Sequence, residues 1–217
     1  MKLLKRLFLS SLLVFCILHT TTAQSEELPN VFSAGVGFSL VGNLLNTQLA
    51  ESVSNAQVST FSRPVLFVTY DRHVASLFSV GAAFSLQEMG IDFANYEYTD
   101  PQGNFKIEDF SIRASRRNFA VRGLVHFLPN QDEVDLYTGV RFGMTQWAIS
   151  GGSSDPDFSY AEYFKFVRDN LEPTFWVSSL QWVVLVARVF PTENFGAGVE
   201  FSLGAPYYFS LALNGRF

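Results

Sequence analysis

The sequence predicts an all-β protein, an eight-stranded antiparallel up-and-down transmembrane β-barrel. Three observations carry that expectation. Apolar residues recur at period two along several separate segments, which is the signature of strands. The links between those segments alternate short and long. The face opposite the apolar one is mostly Gly, Ser, Ala and Thr with a few charges, which suits a narrow barrel interior better than a water-washed sheet.

The chain opens with MKLLKRLFLSSLLVFCILHTTTAQ. A basic start (Lys2, Lys5, Arg6), an apolar stretch and small residues up to Ala23 read as a secretory signal peptide over 1–23, with the barrel domain over 24–217. A retained anchor is the other reading of this stretch, and its apolar part is short for a spanning helix of ~20 residues. The only cysteine, Cys16, lies in the leader, after residues too bulky for a lipoprotein cleavage site. The mature chain thus has no disulfide and no thiolate metal site.

Three of the 15 Lys and Arg and none of the 20 Asp and Glu lie in the leader, so the mature chain carries a net charge of −8. That sign argues against nucleic acid as a partner. Hydrophobic residues make up 48% of the chain and 23 are Phe, more apolar surface than one small core needs. Lipid would account for the excess.

The strands are placed as follows. Segment 31–42 sets Phe32, Ala34, Val36, Phe38 and Leu40 against Ser33, Gly35, Gly37 and Ser39. Segment 76–86 sets Phe78, Val80, Phe84 and Leu86 against Ser79, Gly81 and Ser85. Segments 118–127, 136–147 and 194–203 alternate in the same way. Segments 63–72 and 180–190 are strands whose nearly continuous apolar runs leave the facing open. The terminal segment from Tyr207 to Phe217 is the eighth. Links at 71–75, 128–133 and 191–194 are short and rich in turn residues. Links 43–60, 87–113 and 149–175 are long and read as outer loops.

Two stretches, VRGLVHFLPNQDEVDLYTGVRFG (121–143) and LVARVFPTENFGAGVEFSLGAPYYFSLALNGRF (185–217), resemble the PorT-like and OmpX-like outer-membrane barrel proteins. The resemblance implies eight strands, residence in the outer membrane of a gram-negative bacterium, contact with its lipid, and insertion by the barrel-assembly machinery. It implies no single activity. It also implies that the last strand, with Phe209, Leu211, Leu213 and Phe217 on one face, carries an aromatic assembly signal.

Candidate chemistry is sparse. Arg122, Arg141, Arg188, Glu200 and His126 fall on the inward parity and form an expected lumen network. The 128–133 turn brings Arg122 and Arg141 together, with Glu200 as their expected shared counter-ion. The network either fills the lumen structurally or lines a gated polar path. His126 is the one candidate base for a lipid-modifying enzyme of the PagL type. The position two residues after it, where that type has a nucleophilic Ser, is Leu128. His73 and His126 in separate turns make a poor metal site, and no cofactor is expected.

In the third outer loop, Ser159 and Glu162 form a capping-box pattern. Tyr160, Tyr163, Phe164, Val167 and Leu171 then form one helical stripe, suited to an extracellular or envelope protein partner or to capping the barrel mouth. Trp147 and Trp176 are expected in the aromatic girdle. The function expected is therefore non-enzymatic, with outer loops for envelope structure, adhesion or partner binding. A lipid-modifying enzyme and a soluble exported barrel for a small apolar ligand are the alternatives.

Overall fold

The structure is a computed structural model, and it describes residues 30–40, 57–100, 102–128, 133–153 and 174–217. The predicted leader, the link 41–56 and the loop stripe Tyr160, Tyr163, Phe164, Val167 and Leu171 lie outside those residues. Nine strand segments follow in order. They are β1 (Asn30–Phe38), β2 (Gln57–Ser62), β3 (Val65–Ala75), β4 (Phe78–Thr99), β5 (Phe105–His126), β6 (Val134–Ser153), β7 (Thr174–Val189), β8 (Phe195–Gly204) and β9 (Phe209–Arg216).

Every neighbouring pair is antiparallel, and the ladder closes on itself. β1 pairs with both β3 and β9, and β4 pairs with both β3 and β5. β2 and β3 lie end to end along the same edge of β4, so together they make one wall. Pro64, which has no N–H for a ladder, sits at their break. The nine segments therefore build an eight-walled up-and-down barrel. The sequence reading assigned 57–60 to a loop; the structure places it in β2.

The link 87–113 is not a loop either. β4 runs on to Thr99 and β5 starts at Phe105, so only a tight turn separates them. Asp100 builds that turn by accepting hydrogen bonds from the backbone N–H groups of Gln102 and Asn104 and from the Asn104 side chain. Period two does persist past residue 87, with Met89, Ile91 and Phe93 buried. It then breaks at a bulge between Phe93 and Tyr96. Asn95 takes φ 56° there, in the left-handed region that Asn tolerates, and its N–H donates to Asp109. The walls are consequently unequal: β4 and β5 have 22 residues each, while β1, β8 and β9 have 9, 10 and 8.

The two undecided facings are now fixed. On β3, Val65, Phe67, Thr69 and Asp71 point in, while Leu66, Val68 and Tyr70 point out. On β7, Gln181 and Val183 point in, yet so do Val186 and Arg188, which have the opposite parity. A bulge between Val183 and Leu185 reconciles them by adding one residue, so that Val184 and Leu185 both face outward. Strict alternation fails in this strand, which is why its apolar run hides its orientation.

Small interior residues leave room for large polar ones. A Cβ on Gly37 would come within 2.6 Å of the Tyr207 ring, and one on Gly81 would collide with the Asp71 carboxylate. Tyr207, which shares its parity with the outward residues of β9, lies just before that strand and is fully buried in the interior. It packs on Phe67 with ring centroids 5.0 Å apart.

Candidate functional site: the charged interior

The hairpin of β5 and β6 sets Arg122 directly opposite Arg141. Two facing cations, each about 3% exposed, require counter-charge. Glu200 on β8 supplies it for Arg141, its Oε2 accepting from Nη2 at 2.7 Å. Arg141 also donates to Gln181 at 3.0 Å and to the Tyr207 hydroxyl. Ser202 donates to the other Glu200 oxygen at 2.8 Å, which fixes the carboxylate from its own strand.

Arg122 has a different partner. Its Nε lies 3.0 Å from Oδ1 of Asp71, while Asp71 Oδ2 accepts from Arg188 Nη2 at 2.7 Å. The shared carboxylate is therefore Asp71, between Arg122 and Arg188, and not Glu200 between Arg122 and Arg141. Sequence reasoning missed Asp71 because the facing of its strand was undetermined. Its short side chain in the turn-rich DRHVA read as part of a link. Tyr137 completes this layer, its hydroxyl accepting from Arg122 at 3.2 Å and its ring lying 4.5 Å beneath the Arg188 guanidinium.

His126 ends β5, at the end of the barrel where the chain segments 76–77 and 190–194 turn. Its Nδ1 is 2.6 Å from Asp135 Oδ1 and its Nε2 is 2.9 Å from Ser79 Oγ. The row Ser79–His126–Asp135 has the connectivity of a nucleophile, a base and an orienting carboxylate. The sequence search looked for the serine two residues downstream, whereas strand pairing brings it from β4. Ser79 is only 1% exposed, however, so an acyl group has no path to its hydroxyl. The row holds β4, β5 and β6 together at this end. His73 was expected in a separate turn from His126, but the two rings meet at a tilt of 37° with centroids 4.4 Å apart. His73 belongs to β3 and His126 to β5, both of which flank β4 in the closed barrel. Among the described residues no group of three His, Cys, Asp or Glu is placed to hold a metal.

The space these side chains leave is small. The central cavity, lined by residues including Ser33, Thr69, Arg122 and Asn214, holds about 10 Å³. That is room for about one water, which needs ~10–15 Å³. Above it, Asn118 donates to Thr145 and Ser179 at 2.8 and 2.7 Å and ties three strands.

No family model matches the chain, and no curated protein matches it. Solved structures do show similarity. Ail, the attachment invasion locus protein of Yersinia pestis, has 12% identity and a TM-score of 0.45, covering 88% of this chain and 100% of its own. The N-terminal β-barrel domain of Pseudomonas aeruginosa OprF has 12% identity and a TM-score of 0.39, covering 89% and 100%. The translocator domain of the autotransporter NalP from Neisseria meningitidis has 9% identity and a TM-score of 0.36, covering 89% and 90%. At these levels nothing further about the chain rests on them.

The aromatic girdle divides. Trp176 faces outward and is 50% exposed, with its ring 6.3 Å from that of Phe119. Trp147 lies on the inward parity of β6, opposite Arg116, whose guanidinium is 5.8 Å above its ring. Its neighbours Phe142 and Met144 take the outward positions, so Trp147 belongs to the lumen and not to the girdle. On β9, Phe209, Leu211, Leu213 and Phe217 do lie on one outer face. Phe217 is joined to Asn30 by two backbone hydrogen bonds, of 2.8 and 3.1 Å.

Proposed function

We propose that this chain is a non-enzymatic integral outer-membrane β-barrel, exported by a leader over 1–23, inserted by the barrel-assembly machinery and presenting outer segments for envelope structure, adhesion or partner binding. The observation that carries this reading is the outer surface of the barrel. Phe32, Leu66, Val80, Val121, Phe142, Leu180, Leu203 and Leu213 all face outward, each at least 44% exposed. Within this belt the ionic groups of the described residues point inward. Outward charges lie at its borders, with Arg72 towards one end and Glu88 and Arg117 towards the other, or beyond them, as Asp92 and Arg113 do.

The height of this belt supports lipid as its solvent. Along β5 and the residue after it, the belt runs from Phe119 to Phe127. At ~3.3 Å per residue and a strand tilt of ~40°, those roughly nine residues rise about 23 Å. The apolar band of transmembrane barrels is about 25 Å tall. A soluble barrel would place this face inward around its ligand, whereas here the interior is polar and nearly full.

Cell fractionation with semi-native gel electrophoresis tests the reading. The expected result is recovery with the outer membrane and a band that shifts on heating. Recovery in the soluble periplasm with no shift would overturn it.

A further inference from the structure

Beyond the border of the apolar belt the outer face of the barrel is hollowed. A cavity of about 350 Å³ opens there against β4, β5 and β6. That is within the ~300–1,000 Å³ of ordinary ligand sites. Strand register makes its floor Ser115, Ala148 and Ser150, small residues on the outward parity of Phe119 and Met144. Arg63 and Glu88, paired at 2.7 Å, stand at its rim, as do Phe61 and Arg113. The Arg113 guanidinium lies over the Phe61 ring, 4.8 Å from its centre, and donates to Asp92 at 2.6 Å. A ring and a carboxylate thus hold it in place. Gly90 permits that approach, since a Cβ there would come within 2.6 Å of the Phe61 ring and 2.8 Å of the Arg113 side chain.

The charges around this cavity do not balance. Arg63 and Arg113 each have a carboxylate, in Glu88 and Asp92. Arg117, the next outward position below Ser115 on β5, is exposed, and its guanidinium has no ion-pair partner among the described residues. Three cations against two carboxylates leave one positive charge in excess. Arg117 also ends the belt. The outward residues below it on β5, Phe119 and Val121, are apolar, and its lateral neighbours are Leu86 and Gln146. The cavity therefore opens directly over the apolar surface, on the side of the wall away from the lumen. A ligand seated there meets an unmatched cation and polar groups at one end and the belt at the other.

We propose that this cavity is a site for one membrane lipid with a phosphate-bearing, hydroxyl-rich headgroup. The phosphate sits on Arg117, the hydroxyls reach up to Glu88, Ser115 and Arg113, and the acyl chains run down over Leu86, Phe119 and Met144. A guanidinium takes phosphate oxygens in paired, charge-assisted hydrogen bonds. The small floor lets the headgroup lie close to the strands. A soluble anion gains the cation but leaves the apolar contact unused, and a neutral lipid does the reverse. The proposal rests on the membrane reading above and deepens it, turning a uniform lipid contact into one site with a preferred headgroup.

The test titrates short-chain phosphatidylglycerol into the refolded barrel in nonionic detergent micelles and follows the amide NMR signals of Ser115 and Ser150. The signals should shift saturably. Affinity should fall about tenfold in Arg117→Gln, the loss of one charge-assisted hydrogen bond. Ser115→Trp, which fills the floor, should abolish saturation. Equal affinity in wild type and Arg117→Gln overturns the proposal. So does equal affinity for diacylglycerol, which has the chains without the phosphate, or for glycerol phosphate, which has the headgroup without the chains. Saturable binding to Ser115→Trp as to wild type overturns it too, and if that variant does not refold, the Arg117→Gln comparison decides alone. A barrel that fractionates with the outer membrane but shows no headgroup preference sinks this site and leaves the membrane reading intact. Recovery in the soluble periplasm sinks the membrane reading whatever the titration gives.

Discussion

Asp71 on β3 and Arg188 on β7 meet across the lumen at 2.7 Å although 117 residues separate them in the chain. Arg122 approaches the other oxygen of the same carboxylate. One aspartate thus answers two cations from opposite walls, and removing it leaves both unpaired. Asp71→Asn should destabilise the folded barrel by at least ~3–5 kcal/mol, the usual cost of breaking a buried pair. Urea-dependent refolding in micelles measures this. In double-mutant cycles Asp71 should couple strongly to Arg122 and Glu200 strongly to Arg141. Stronger coupling of Glu200 than of Asp71 to Arg122 would contradict the geometry.

The bulge in β7 carries a separate expectation. Deleting Val184 removes the extra residue and leaves Gln181, Val183, Val186 and Arg188 all facing inward on a regularly alternating strand. Deleting Val184 and Leu185 together puts Arg188 on the outer face instead, which costs ~2–4 kcal/mol at mid-membrane besides the lost pair with Asp71. The single deletion should keep its heat-modifiable band and the double deletion should lose it. Equal behaviour of the two variants would show that the bulge does not set the facing of the strand.

The belt can be probed directly. Val121 is 62% exposed and lies mid-belt. Val121→Arg should cost ~2–4 kcal/mol in bilayers, and Gln146→Arg, at the polar border, only ~0–1 kcal/mol. Equal and negligible effects at both positions would indicate that water, not lipid, surrounds the barrel.

Phe217 separates stability from assembly. It is 69% exposed on the outer face, so Phe217→Ala should remove only ~1–2 kcal/mol of burial in lipid. If it is also an assembly signal, its steady-state level in the outer membrane should fall far more than refolding does. Unchanged levels in cells would reduce Phe217 to a packing residue.

The turn at Asp100 gives a pH dependence. Hydrogen bonds from the Asn104 side chain and from the Asn104 and Gln102 backbones hold the Asp100 carboxyl below its ordinary value. A lowered value means the turn is fully stabilised above the normal carboxylate range, and that this contribution is lost as pH falls through the depressed value. Amide NMR signals of Gln102 and Asn104 should report opening only at such acid pH, and Asp100→Ala should open the turn at neutral pH.

What the sequence made legible was the part governed by one period. Where inward and outward residues alternate strictly, as in β1, β8 and β9, the residues lie on the expected faces. Legibility fell where a single inserted residue reversed the parity, at Phe93–Tyr96 and Val183–Leu185, because a bulge has no composition of its own. It fell again above the belt, where Glu88 and Asp92 alternate with Met89 and Ile91 but read as loop. Arg122, Arg141, Glu200 and His126 are buried on the face their parity gives, and Arg188 is buried too, although its run left the facing open. Their pairing needed the closed ring, since Asp71 reaches Arg188 only across the lumen, and no hairpin joins their strands.

The closure of β1 on β9 has one more consequence. Asn30 and Phe217 bond backbone to backbone, so the strands follow one another around a circle in which no wall comes first. The folded barrel is therefore indifferent to where that circle is cut. A circular permutant that links residues 217 and 30 and opens between 191 and 194 retains every wall and every interior ion pair, and differs only in which strand is made last. Comparing its refolding with its assembly in cells would separate what belongs to the ring from what belongs to the order in which the chain is read out.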